Sequence, residues 1–180
     1  MSRQLIIYSP AGIVSAAAPV RRATKRLAAL GFDASVDTSA LTKHQRFAGD
    51  DATRLDAIRR VADAAPAVAL ATRGGYGLSR LLDTLDWKRI SASVDKGTAW
   101  VGYSDVTALQ LAALAHKATG PAKPGEGVSA GFWAGPMACD DFGRDDSPEG
   151  GDDVTQDCFV EAMTGELEAV GFRTEVGFDG

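Results

Sequence analysis

The sequence predicts an α/β fold: an open, mostly parallel sheet with helices on both faces in a nucleophile-bearing N-terminal domain, then a linker and a truncated second domain. Three observations carry this. Short apolar runs recur at residues 5–8, 34–36, 67–72 and 98–103. Segments with apolar residues at helical spacing alternate with them, and parallel neighbours need such crossovers. Two of the runs end directly in loops rich in glycine or led by serine, where an open parallel sheet gathers its ligand residues.

Residues 5–8 open the sheet. A helix follows from Ala18 or Pro19 to Leu30: proline suits its first turn, Gly31 its end, and Val20, Ala23, Leu27 and Leu30 recur at helical spacing. A short strand around Ala34-Ser35-Val36 precedes a helix from about Asp51 to Ala64, in which Leu55, Ile58, Val61 and Ala62 share a face. Val68 to Thr72 reads as a buried strand running into Arg73-Gly74-Gly75-Tyr76-Gly77, after which Leu78 to Leu85 looks helical. Thr98 to Tyr103 forms the next strand and Val106 to Ala118 the next helix. Residues 155–170 fit an amphipathic helix with Phe159, Val160, Met163 and Leu167 on one side, and Phe172 to Phe178 begins another strand. No internal repeat is visible.

A chain of 180 residues can bury one sizeable core, and 45% hydrophobic with 24% charged residues is ordinary for a soluble globular protein. No apolar run approaches the ~20 residues of a membrane span. Met1-Ser2-Arg3-Gln4 leads straight into a strand with no signal-peptide core, and Cys139 and Cys158 lack metal-ligand spacing, so reduced thiols in a cytoplasm are expected. The net charge of -5 divides unevenly: 17 Lys+Arg against 11 Asp+Glu in residues 1–138, and 2 against 13 in residues 139–180. The expected organisation is therefore a domain over 1–138, an acidic Gly/Asp-rich linker over 139–154, and the start of an incomplete domain over 155–180. A calcium loop beginning at Asp145 is broken by Pro148, with Gln156 where a bidentate Glu belongs. The upstream basic excess is scattered, with pairs such as Arg21-Arg22 and Arg59-Arg60 on helix surfaces and no aromatic interleaving, so no nucleic-acid partner is expected.

Ser104 is the leading candidate for chemistry. Pinned between a strand end and a helix start, its hydroxyl is presented at the sheet edge beside free helix N–H groups. Acyl-transfer enzymes hold a nucleophile this way, with the amide of the following residue facing the oxyanion. The G-x-S-x-G signature is incomplete, since Gly102 is present but position 106 is Val. The competing reading is a serine that caps its helix. In the 73–77 loop three glycines in four positions let backbone approach a ligand closely; a phosphate-binding turn or a plain tight turn is the alternative there, without the lysine of a P-loop.

Together, Arg73-Gly74-Gly75-Tyr76-Gly77 and Gly102-Tyr103-Ser104-Asp105 resemble the LD-carboxypeptidases, serine peptidases of the muramoyltetrapeptide carboxypeptidase and microcin C immunity protein type. Ile7-Tyr8-Ser9-Pro10-Ala11-Gly12 is similar to the family's first strand and Ser-Pro loop, and Arg46-Phe47-Ala48-Gly49-Asp50 to the segment before its second helix. Gly135-Pro136-Met137 is similar to its His-Gly-Pro element, with Ala134 where a histidine is usual. The resemblance covers residues 4 to 138 well and the rest loosely.

The resemblance implies that Ser104 is the nucleophile, with the N–H of Asp105 and one from the 73–77 loop, Gly75, forming the oxyanion hole. The Asp105 side chain could instead favour the helix N-terminus. Arg73 would clamp a substrate carboxylate or else stabilise its loop by a salt bridge. Gly74 belongs to the same binding loop, and Tyr76 and Tyr103 line the cleft or simply pack. A serine needs a base. His116 lies about 18 Å along a continuous helix from Ser104, and His44 reads as a surface histidine. The family's Glu and His would lie beyond Gly180, which makes this chain a fragment, inactive alone. The implied reaction releases terminal D-alanine from a murein tetrapeptide, a small peptide substrate, in cell-wall recycling. No metal or organic cofactor and no membrane partner is implied, and homodimers are common in the family. Two alternatives remain open: a microcin C immunity-type peptidase, and a non-catalytic α/β module holding an anionic ligand.

Overall fold

The structure, a computed structural model, describes residues 3–118, 130–145 and 153–167. Its elements run β1 (Arg3–Tyr8), α1 (Ala17–Ala29), β2 (Phe32–Val36), α2 (Asp51–Ala64), β3 (Val68–Ala71), α3 (Trp87–Asp95), β4 (Ala99–Gly102), α4 (Val106–Ala115), β5 (Gly131–Ala134) and α5 (Asp153–Thr164). All five strands pair in parallel in the order β2-β1-β3-β4-β5. The winding reverses between β1 and β3, so the loops leaving those two strands diverge over a crevice at the carboxyl edge.

Strict alternation along the strands sends side chains to two cores. Tyr8, Ala69, Ala71 and Trp100 face α2, α3 and α4, meeting Ile58, Val61, Ile90, Val94 and Leu109. Leu5, Ile7, Val68, Leu70, Ala99 and Val101 face α1 and α5, meeting Ala23, Leu27, Phe159 and Met163. Helices therefore cover both faces of the sheet. On the first face Trp100 anchors an aromatic row, edge-on to Tyr8 at 5.5 Å and stacked on Phe132 at 6.2 Å.

The helix termini follow local chemistry. Asp50 caps α2 by accepting from the Thr53 amide at 2.8 Å. Asp86 caps α3 in the same way, accepting from the Arg89 amide at 3.1 Å. Gly31, at φ +92, leaves α1 through the left-handed region open to glycine.

Two sequence expectations need correction. Leu78–Leu85 is not a helix; it is a run of turns with one 3-10 turn over Leu82–Thr84, and α3 starts only at Trp87. Leu78, Leu81 and Leu85 are buried at 0%, 1% and 8% exposure, so their spacing marks one core reached from successive turns. Asp86 captures the helix start downstream of them. On α2 the buried face carries Arg54 and Ala57 with Ile58, Val61 and Ala62, while Leu55 is only half-buried. The short strand β5 has no clear signal in the sequence pattern. The strand expected over 172–178 lies outside the described residues.

The acidic segment begins with a docked turn. Ala138–Phe142 forms a single π-helical turn whose Ala138 and Phe142 are buried. Arg26 and Arg22 of α1 donate to the carbonyls of Phe142 and Gly143 at 2.7 and 2.8 Å. Phe159 of α5 packs against Phe142 and Phe32, with ring centres 5.1 and 5.5 Å apart. Among the described residues no helix is long and apolar enough to cross a membrane.

Phe159→Ala is expected to lower the unfolding free energy by about 3–5 kcal/mol in chemical denaturation, the cost of deleting a buried aromatic ring. A loss below about 1 kcal/mol, the level of surface changes, would show that α5 is not part of the shared core.

Candidate active site

Ser104 occupies a sharp bend between β4 and α4. Its backbone lies at φ +60, in the left-handed region, where a side-chain-bearing residue costs about 1–2 kcal/mol. Gly102 makes the bend possible, because a Cβ there would meet the Val106 methyls at 3.0 and 3.1 Å and Ala71 Cβ at 3.2 Å. α4 can therefore start close against the sheet. The Ser104 side chain is exposed, and it does not cap α4: the cap position is Asp105, with no side-chain cap hydrogen bond. The carboxylate of Asp105 reaches across instead, its Oδ2 accepting from the Leu78 amide at 3.0 Å. That contact ties Asp105, at the start of α4, to the loop after β3.

The two sequence-predicted loops do meet. A Cβ built on Gly74 would lie 2.8 Å from Ser104 Cβ, 2.9 Å from its Oγ and 3.4 Å from the Asp105 nitrogen. On the other side, the Gly12 amide donates to the Gly74 carbonyl at 3.0 Å. Gly75, at φ +127, lies so close to Gly12 that a Cβ would sit 2.9 Å from the Gly12 Cα. Gly12 thus meets Gly74 and Gly75 backbone to backbone, and Gly74 in turn lies against the Cβ and Oγ of Ser104. The loop after β1 is backed by the segment before α2: Ile13 and Ala48 amides donate to the Arg46 and Ala11 carbonyls at 3.0 and 3.1 Å.

Around this contact the other predicted residues separate. Arg73 donates from Nη1 to the Ile13 carbonyl at 3.2 Å, while its buried Nε has no partner among the described residues. It therefore ties two loops together, and among the described residues it forms no salt bridge. Its charge is felt by Asp140, whose carboxyl is nevertheless pushed above its ordinary range by burial and by Asp141. Tyr103 is 40% exposed beside these acids; partial burial and the charges of Asp141 and Asp140 raise its hydroxyl pKa. Tyr76 points outward, 67% exposed, with the Arg46 guanidinium 5.8 Å from its ring centre. Cys139 donates its amide to the Thr72 carbonyl at 2.7 Å; burial and Asp140 push its thiol up to about 11, so it is not a thiolate at neutral pH.

The contacts of both histidines lie elsewhere. His116 ends α4 and stacks on Trp87, with ring centres 4.7 Å apart and an interplanar angle of 10°. His44 closes a tight turn with Phe47, exchanging backbone bonds of 3.0 and 2.9 Å.

Two residues that hold the site carry no sequence signal. Gln110, one of few polar residues on α4, donates to the Gly102 and Trp133 carbonyls at 2.7 and 2.9 Å, joining the carboxyl ends of β4 and β5. Arg54 is fully buried and donates to the Pro10 and Gly77 carbonyls at 3.2 and 3.1 Å. An arginine in an amphipathic helix reads as surface. At the end of β5, Ala134 is followed by Gly135, whose amide faces the Gly102 carbonyl at 3.4 Å.

Comparison with known proteins identifies the fold and family of the domain that carries these loops. The family model for the LD-carboxypeptidase N-terminal domain matches residues 5–120. A Streptomyces coelicolor protein, whose name assigns it provisionally to the carboxypeptidases, is 39% identical over 85 residues, covering 45% of this chain and 27% of that protein. The solved muramoyltetrapeptide carboxypeptidase of Oxalobacter formigenes is 30% identical with a TM-score of 0.68, over 89% of this chain and 48% of that one. A microcin C7 self immunity protein in complex with aspartyl sulfamoyl adenosine shares the fold, with a TM-score of 0.74 at 20% identity, over 98% of this chain and 46% of that one. The chain spans about half or less of the length of these proteins.

Two stability measurements test the contact. Ser104→Gly removes the left-handed strain but adds chain entropy, so stability is expected to stay level or rise by up to ~1 kcal/mol. Gly74→Ala is expected to cost about 1–3 kcal/mol through overpacking, and most of that cost should vanish in the double variant with Ser104→Gly. Additive effects in that cycle would mean that Gly74 and Ser104 do not touch.

Proposed function

The chain belongs to the LD-carboxypeptidase family, matching its N-terminal domain, and from that premise we propose that Ser104 is the nucleophile of a serine carboxypeptidase that removes the terminal D-alanine from murein tetrapeptides in cell-wall recycling. The observation that carries this reading is the strained placement of Ser104, at φ +60, exposed and directly against Gly74. Left-handed strain in a non-glycine residue persists where surrounding structure enforces it, and such positions cluster at functional sites.

In the proposed mechanism the Ser104 oxygen attacks the carbonyl carbon of the bond between the diamino acid's L-centre and D-alanine. Its proton passes to a base, and the carbonyl electron pair moves onto oxygen. The amides of Asp105 and Gly75 would then donate to that oxyanion. Collapse expels the D-alanine amine, which takes the proton from the base, and leaves an acyl group on Ser104 for water to remove. The base in this proposal is not His44 or His116; it is a histidine oriented by a glutamate, both outside residues 1–180. Arg73, with an Nε that has no partner among the described residues, is the proposed anchor for the substrate's terminal carboxylate. Tyr76 and Tyr103, both exposed, are the proposed walls of the cleft.

Ser104→Ala in the native protein tests the reading. D-alanine release from a murein tetrapeptide is expected to fall at least about 10³-fold in kcat/KM, roughly 4 kcal/mol of transition-state stabilisation, with the fold retained. Turnover within a few-fold of wild type would refute the nucleophile assignment. Cleavage of an aminoacyl-sulfamoyl adenylate but not of the tetrapeptide would transfer the site to the immunity-type substrate class. Binding of an anionic ligand without cleavage of either would make it a binding module.

A further inference from the structure

We propose that Arg54 is a positioning residue for the Ser104 bend, acting through the single peptide unit that joins Gly77 to Leu78. The inference rests on the reading of Ser104 as nucleophile. Arg54 lies on α2, distant in sequence from both site loops, yet its side chain is 0% exposed. A buried guanidinium is costly unless its donors are well engaged. Here Nη2 donates to Asp51 Oδ1 at 2.6 Å, Nη1 donates to the carbonyls of Pro10 and Gly77 at 3.2 and 3.1 Å, and the Phe47 ring centre lies 4.8 Å from the guanidinium carbon, while Nε has no partner among the described residues. The second oxygen of Asp51 is held by Arg80 at 2.8 Å, which fixes the carboxylate from outside.

The Gly77 carbonyl and the Leu78 amide are two ends of one planar group. Arg54 holds the oxygen end, and Asp105 Oδ2 accepts from the N–H end at 3.0 Å. A cation and an anion thus pull along the same peptide dipole, each strengthening the other's hydrogen bond. Asp105 follows Ser104, and its main-chain amide is the proposed oxyanion donor, so the relay from Asp51 through Arg54 and one peptide ends at the bend. The second Arg54 carbonyl, Pro10, lies in the loop whose Gly12 amide holds Gly74. One guanidinium therefore holds the loops that carry Gly12 and Gly74 and, through Asp105, reaches the Ser104 bend. The fit is tight: a Cβ at Gly77 would lie 2.7 Å from the Phe47 ring and 3.0 Å from Arg54 Nη1. Arg54 itself touches no open surface, which makes its role one of placement and not of contact with substrate.

Arg54→Lys keeps the charge without the fork, and Arg54→Met removes both while keeping most of the stem. Two readouts are needed: amide hydrogen exchange by NMR in the 180-residue chain, and kcat and KM for the murein tetrapeptide in the native protein. In Arg54→Lys the Leu78 amide is expected to lose about tenfold or more in protection while Leu70 in β3 and Val101 in β4 change by less than about threefold. With it, kcat is expected to drop about 10- to 100-fold with KM little changed, and further in Arg54→Met, as for a misplaced catalytic group. Unchanged Leu78 exchange would overturn the proposal. Equal loss at Leu78, Leu70 and Val101 would overturn it too, as a purely structural effect, and so would a loosened Leu78 with unchanged kcat. If the wild-type protein leaves the tetrapeptide intact, the functional reading fails while the exchange measurement still decides the hold of Arg54 on the Leu78 peptide.

Discussion

The contact of the Gly12 and Gly74 backbones with each other and with the Ser104 side chain, at the carboxyl edge of the sheet, is the constraint around which the rest is arranged. The Gly12 amide to Gly74 carbonyl bond is 3.0 Å long, and no Cβ fits on Gly74 against Ser104. The strand order makes the meeting possible: β1 and β3 are neighbours whose crossovers leave in opposite directions, so their loops border one crevice, with β4 next to β3. The strain at Ser104 is a local cost of about 1–2 kcal/mol, small against two cores that fix β3 and β4 from both faces.

Electrostatics around the contact are asymmetric. Behind it, the buried Arg54 and the half-exposed Asp51 form an ion pair that faces the loop carbonyls. In front, Asp140 is partly desolvated with a raised pKa, and the cation nearest to it in effect is Arg73. The rear pair is a device for holding backbone, and the front side chains are the ones a substrate would meet. Under the proposed carboxypeptidase reaction, this division of labour is how the fold would serve the chemistry.

Much of this was legible in the residues, and the reasons are local. The strand runs, the Gly31 terminus, and the meeting of the 73–77 loop with Ser104 follow from patterns of apolar spacing and glycine placement. The failures have equally local causes. Leu78, Leu81, Leu82 and Leu85 imitate a helix because a core can be fed from turns as well as from a helix face. Gly131–Ala134 is too short for alternation to show. Arg54 is invisible because nothing in its neighbours announces that its partners are carbonyls of Pro10 and Gly77, far away in sequence. Asp105 reads as a helix-start acid, yet its partner is the Leu78 amide on another loop. Long-range polar pairing is what a periodicity argument cannot see.

The most direct test of the central claim is the structure of the native protein treated with a phosphonate analogue of the tetrapeptide's scissile bond. The account predicts phosphorus bonded to Ser104 Oγ and a phosphoryl oxygen within about 2.7–3.1 Å of the Asp105 and Gly75 amides. An adduct on any other residue, or an oxygen turned away from those two amides, would contradict it.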